Sequence, residues 1–162
     1  MNLKISKENI LFLDIETVPE YENYDKLSDI KKSLFEQKTA YQRKPKISTD
    51  EEIPVELFYS RAGIWAEFGK IVCISVGYFV LNPEEREFRV KSFYGDDERK
   101  ILLDFKELLD THFSSPQHLL CGHNGKEFDF PFMARRMIVN RVDLPSKLNL
   151  FGKKPWEVPH LD

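Results

Sequence analysis

Apolar residues in this chain come in short runs, each closed by proline, glycine or a block of charge. The first run, Ile10 to Pro19 (ILFLDIETVP), is rich in Ile, Leu and Phe and is followed by proline, the pattern of a buried strand rather than a helix. Its period of two sends Leu13 and Ile15 into packing and places Asp14 and Glu16 together on the other side. From Lys70, KIVCISVGYFVL is a long β-branched and aromatic run, and EFRVKSFYG alternates polar with apolar after a turn at Asn82 and Pro83. Together they predict an antiparallel hairpin. Asp96 or Asp97 then caps a helix whose apolar face is Ile101, Leu102, Phe105, Leu108 and Leu109. HLLCGHNG predicts a further short strand ended by Gly125, and Pro131 lies in the first turn of a last helix, FMARRMIVNRV.

Residues 20–62 differ in character, being charged and poor in aliphatics. Leu27, Ile30, Leu34 and Phe35 fall at helical spacing within DKLSDIKKSLFEQK and predict one amphipathic helix with a thin apolar stripe. QRKPKISTDEEIP, with prolines at 45 and 54, reads as loop, a candidate lid. By its sparse apolar anchors the whole insertion is expected to protect poorly in hydrogen exchange. The order is strand, insertion, strand, strand, helix, strand, helix. It predicts an α/β fold with a mixed central sheet flanked by helices, in which the hairpin lies beside the acid-bearing first strand.

A length of 162 residues, 41% of them hydrophobic, suits a single domain spanning 1–162. Cys73 and Cys121 both sit in strand-like runs and read as buried thiols rather than a disulfide or a metal pair, which points to a reducing, cytoplasmic setting. No apolar stretch of about 18 residues suggests a membrane span. With a net charge of −3, any nucleic-acid contact has to be local rather than a general polycation effect.

Two carboxylates on one side of a strand repel each other unless a cation compensates, and a hard divalent ion such as magnesium or manganese takes oxygen ligands of this kind. The alternative is that Asp14 and Glu16 sit at the solvated end of an edge strand. A second acid-bearing motif lies where the last strand gives way to its helix: His123, Asn124, Gly125, Lys126, Glu127, Phe128, Asp129. Asp129, just before the helix, is placed to cap it or to face a ligand at its positive end.

D-I-E-T on one strand and N-x-x-x-F-D after another, about a hundred residues apart, together resemble the first and second motifs of DEDD-superfamily exonucleases. The likeness is to the exonuclease domain of B-family DNA polymerases and its stand-alone bacterial relatives, which EFGKIVCISVG and FDFPFMARR also resemble. The resemblance implies an RNase H-like fold and two-metal hydrolysis, with Mg2+ or Mn2+, of phosphodiesters at the 3′ end of single-stranded or frayed DNA. Asp14 is then implied to bridge both ions, Glu16 to hold the nucleophile-side ion and Asp129 the leaving-group side. Thr17 and Asn124 would meet the terminal nucleotide, and Phe128 would pack on its base or serve as plain core. His123 stays outside the metal shell. RNA is an equally accessible substrate for such a site, and a non-catalytic nucleic-acid-binding or scaffolding module on the same fold is the alternative function.

The third motif of that superfamily, a Tyr or His followed by a fourth acid on a late helix, does not occur here. After Asp129 the acids are Asp143, Glu157 and Asp162, none with a Tyr or His at the required offset, and Tyr21 to Asp25 spells the pattern only in the insertion. The reading is therefore of a domain lacking its last elements, with VPHLD opening another one. Arg135, Arg136 and Arg141, with Lys153 and Lys154, are either solvated surface or a phosphate-steering cluster. Protein partners and oligomeric state are not encoded in any recognisable pattern.

Overall fold

The computed structural model describes residues 5–45, 51–81 and 85–162. The first apolar run forms β1 (Ile10–Pro19), the hairpin is β2 (Gly69–Leu81) with β3 (Arg86–Tyr94), and the short late strand is β4 (Leu119–Cys121). They make one sheet in the order β3-β2-β1-β4. β2 and β3 run antiparallel from Cys73↔Tyr94 to Leu81↔Arg86, whereas β1 and β4 run parallel from Ile10↔Leu119 to Phe12↔Cys121. The sheet is mixed, and the hairpin lies next to the acid-bearing strand as the pattern predicts. The turn assigned to Asn82 and Pro83 lies outside the described residues. The chain divides into two compact units, residues 1–16 with 71–162, and residues 17–70.

In the larger unit, Leu11, Leu13 and Ile15 of β1, Ile74 and Val76 of β2, and Phe93 of β3 are buried. Helix α3 (Glu98–His112) covers this face with the predicted Ile101, Leu102, Phe105 and Leu109, and the Phe105 ring centroid lies 6.1 Å from that of Phe93. Asp97 caps the helix by accepting the N–H of Lys100 at 3.1 Å, satisfying a donor that the first turn leaves free. On the other face Phe12 meets Phe79 and Phe88 with centroids 6.3 and 6.0 Å away. Alternation along β1 therefore brings Asp14 and Glu16 out on the face that carries these three rings.

Helix α4 (Asp129–Val139) starts three residues earlier than the pattern predicts and turns Phe130, Met133, Arg136 and Met137 inward. Arg136 is no phosphate-steering residue. It is 3% exposed and its guanidinium donates to both carboxylate oxygens of Glu98, itself 8% exposed, through Nε at 2.8 Å and Nη2 at 2.5 Å. Glu98 also accepts the N–H of Ile71 at 2.8 Å and the amide of Asn140 at 2.8 Å. Burial pushes the Glu98 carboxyl up, but these four donors outweigh it and hold the group below the ordinary carboxylate range. One carboxylate thus ties β2, α3 and α4 together.

In the 17–70 unit, helix α1 (Asp29–Arg43) extends well beyond the predicted window, and Ser28 caps it. The stripe differs from expectation: Phe35 and Thr39 are buried, whereas Ile30 and Leu34 face solvent. A one-turn helix α2 (Val55–Phe58) and a 3-10 segment at Tyr59–Ile64 follow. Tyr24, Leu27, Phe35, Phe58, Tyr59, Ala62 and Phe68 form a buried cluster, with Val55 and Trp65 against it. The insertion therefore carries an aromatic core of its own instead of a thin stripe, and sparse anchoring was the wrong expectation. Residues 46–50 of the predicted loop lie outside the described residues.

Candidate active site

The parallel ladder between β1 and β4 stops at Phe12↔Cys121 because β4 is only three residues long. The chain leaves through Gly122, and Asn124 takes a left-handed conformation with φ 57°. Gly122 and Gly125 pack back to back here. A Cβ on Gly122 would stand 3.1 Å from the Cα of Gly125, and one on Gly125 would stand 2.8 Å from the Phe130 ring. The Asn124 carbonyl accepts the N–H groups of Glu127 and Phe128 at 3.2 and 3.0 Å, which starts the turn that becomes α4. This tight passage returns Asp129 to β1. Its Oδ1 accepts the N–H of Ile15 at 3.2 Å, between Asp14 and Glu16 and three residues past the end of the β1–β4 pairing.

Asp129 is 3% exposed, and burial pushes its carboxyl above the ordinary aspartate value. Hydrogen bonds from the backbone of Ile15 and of Asp129 itself oppose that shift, and the charges of Asp14 and Asp162 add to it. Among the described residues no lysine or arginine forms a salt bridge with Asp129. A buried carboxylate without a cationic partner is a group that a hard divalent cation would stabilise. Asp14 and Glu16 are exposed on the same side of β1. Among the described residues no three His, Cys, Asp or Glu side chains are gathered closely enough to hold an ion. The structure thus seats Asp129 on the β1 backbone at Ile15, between Asp14 and Glu16.

Asp162, which the missing Tyr or His partner excludes in the sequence, comes close to the turn before α4. Leu161 pairs with Cys121 in parallel on the free edge of β4, and Asp162 then accepts the N–H of Gly125 at 2.7 Å. Its charge acts on Asp129 and, after burial, raises the Cys121 thiol. The only hint in the sequence was an acid after a strand-like VPHL; the offset rule for a third motif does not reach it.

The other candidates are distributed as follows. Asn124 is exposed and builds the turn through its backbone, and His123 beside it is exposed too. Phe128 is half-buried, with its ring 5.4 Å from that of Phe132. Thr17 is half-buried near the end of β1 and is the first residue of the 17–70 unit. Arg135, Arg141, Lys153 and Lys154 are exposed. Cys73 and Cys121 are free, half-buried thiols in β2 and β4.

No protein family matches this chain, and no curated protein is significantly similar to it. Among the described residues no helix is long and apolar enough to cross a membrane.

His160 is 4% exposed, with its ring centroid 5.3 Å from that of Phe130 in α4. Its Nδ1 accepts the N–H of Leu120 at 3.2 Å and its Nε2 donates to the Lys147 carbonyl at 2.7 Å, which fixes a neutral imidazole. Burial first, then the charges of Lys147, Lys153 and Lys126, push its pKa below 6.5 against the bond to Lys147. The unfolded chain takes up this proton near pH 6.5 and the folded chain only lower down, so in that interval unfolding binds a proton. The contribution of His160 to stability is complete above pH 6.5 and falls as the pH is lowered. Urea midpoints measured from neutral to mildly acidic pH are expected to drop, and His160→Gln to flatten that dependence; equal slopes in the two proteins would count against it.

Proposed function

We propose that this chain carries the metal site of an RNase H-like 3′-to-5′ exonuclease. The observation that carries the reading is the seat of Asp129, whose carboxylate accepts the backbone N–H between Asp14 and Glu16 from 114 residues away. A mixed sheet with the hairpin beside the acid-bearing strand supports the fold, and the all-oxygen donor set favours Mg2+ or Mn2+. Two such ions, when bound, supply charge neutralisation at the scissile phosphate and activate water for attack. Asp14, Glu16 and Asp129 would hold the ions, and the charge of Asp162 acts on Asp129 as well. The turn at Asn124, with Phe128 after it, receives the last nucleotide of a single strand of DNA or RNA.

What these residues do not provide is a group to align the attacking water. His160, two residues before Asp162, has both ring nitrogens engaged and is buried. This observation favours the second reading, a strand-binding module without chemistry. Positioned acid–base assistance is worth about a hundred- to ten-thousand-fold, so the 162 residues are expected to bind manganese weakly and to cleave at best slowly. Manganese titration followed by electron paramagnetic resonance tests the site. Asp14→Ala and Asp129→Asn should each lower affinity at least about tenfold, the loss of one of a few carboxylate ligands. Asp129→Asn keeps an acceptor for the Ile15 N–H while removing the buried charge. Manganese affinity unchanged in both variants would remove the metal site and the exonuclease with it. A 5′-labelled strand shortened from its 3′ end, only with Asp14 intact, would decide for the enzyme over the binding module.

A further inference from the structure

We infer that the outer side of α4 is the track for the single-stranded segment leading into the carboxylates. The inference rests on the exonuclease reading and names where the rest of the strand lies. A groove of about 430 Å3 is lined along α4 by Pro131, Ala134, Arg135 and Ile138, and facing them by Leu150, Phe151 and Lys153. Spacings of three and four put those α4 residues on one stripe, opposite the buried Phe130, Met133 and Met137. A helix face that is apolar and open to solvent calls for an occupant. The charge says which kind: Lys126, Arg135 and Lys153 line the groove against a single acid, Glu127, in a chain whose net charge is −3. Lys126 and Lys153 both line this one groove.

The aromatic residues match. Phe151, on the groove wall, is 96% exposed, and outside the lining, next in sequence to its Pro155, Trp156 is 74% exposed with the Lys154 ammonium 5.1 Å from its ring centroid. Exposed rings beside cations are the means by which proteins hold unpaired bases and their phosphates without reading sequence. The groove also starts at the right place. Lys126 and Glu127 belong to the turn that delivers Asp129, and from Asp129 to Ile138 the helix rises about 14 Å, on the order of four stacked nucleotides. A 3′ end at the carboxylates leaves its upstream bases beside Phe151 and its phosphates between Lys126, Arg135 and Lys153.

Fluorescence anisotropy of a short 5′-labelled oligothymidine, with the full chain in EDTA to prevent turnover, tests this. Phe151→Ala is expected to weaken binding about 5- to 150-fold, the range that stacking on one aromatic spans. Lys126→Gln with Lys153→Gln is expected to lower the slope of log affinity against log salt by about 1.4, two phosphate contacts. Phe151 is exposed, so its variant keeps the fold, and an unchanged circular dichroism spectrum checks that. Manganese titration of the same variants separates the two readings, because Phe151→Ala leaves the carboxylates untouched. Lower strand affinity with manganese binding retained supports the track. Unchanged strand affinity in both variants, no strand binding by the parent chain, or preferential binding of polyglutamate overturns it while the metal site stands or falls on its own titration.

Discussion

Arg136→Met is expected to destabilise the larger unit by about 3–5 kcal/mol, a large part of the stability of an ordinary domain. The substitution leaves the Glu98 carboxylate buried with only the Ile71 N–H and the Asn140 amide to satisfy it, and a charge out of water without its counterion is costly. Glu98→Gln should cost less, because an amide oxygen still accepts from Ile71 while the guanidinium loses one charged partner. The pair is worth less than either single loss suggests. Replacing both residues with apolar side chains of similar size should recover much of the deficit, since the desolvation of two ions disappears with them. Urea unfolding of the two single variants and the double variant measures this, and additive losses would show that the two residues act independently.

Phe35→Ala is expected to cost about 3–5 kcal/mol in the 17–70 unit. Phe35 is fully buried, and its ring centroid lies 5.1 Å from Phe68, 5.3 Å from Tyr59 and 5.9 Å from Trp65. Removing it empties the centre of the aromatic cluster and leaves a void that rigid neighbouring rings fill poorly. Hydrogen exchange should register the loss in α1 and in the Tyr59–Ile64 segment. Protection there equal to that of the parent chain would show that the cluster is not what holds the unit together.

Periodicity made most of the larger unit legible. Alternation in ILFLDIETVP put Asp14 and Glu16 on one side of β1, and the helical spacing of Ile101, Leu102, Phe105 and Leu109 gave the buried face of α3. Both signals are local, because the side-chain direction follows from the element itself. The aromatic core of residues 17–70 was not legible, since Tyr24, Phe35, Tyr59 and Phe68 share no period and meet only through the path of the chain. Thr39 shows the same limit. It is buried in a polar stretch because its hydroxyl donates to the Phe35 carbonyl at 2.7 Å, one turn back. In the site, the sequence supplied three acids but not the bond from Ile15 to Asp129, which depends on where β4 stops. Asp162 and the burial of Arg136 were illegible for a related reason: each is defined by a partner far away in sequence.

Helix α4 does three things on different sides. Asp129 accepts the Ile15 N–H of β1, Arg136 two turns later is anchored on Glu98, and the Pro131–Ala134–Ile138 stripe faces the groove. Each residue of an α-helix advances by about 100°, so these assignments hold only in one register. Deleting or inserting a single residue between Asp129 and Arg136 would swing the carboxylate by that angle relative to its anchor, even if every side chain were kept. The spacing between Asp129 and Arg136 is therefore fixed as firmly as the two residues themselves; the segment is a gauge block whose dimension matters as much as its surface.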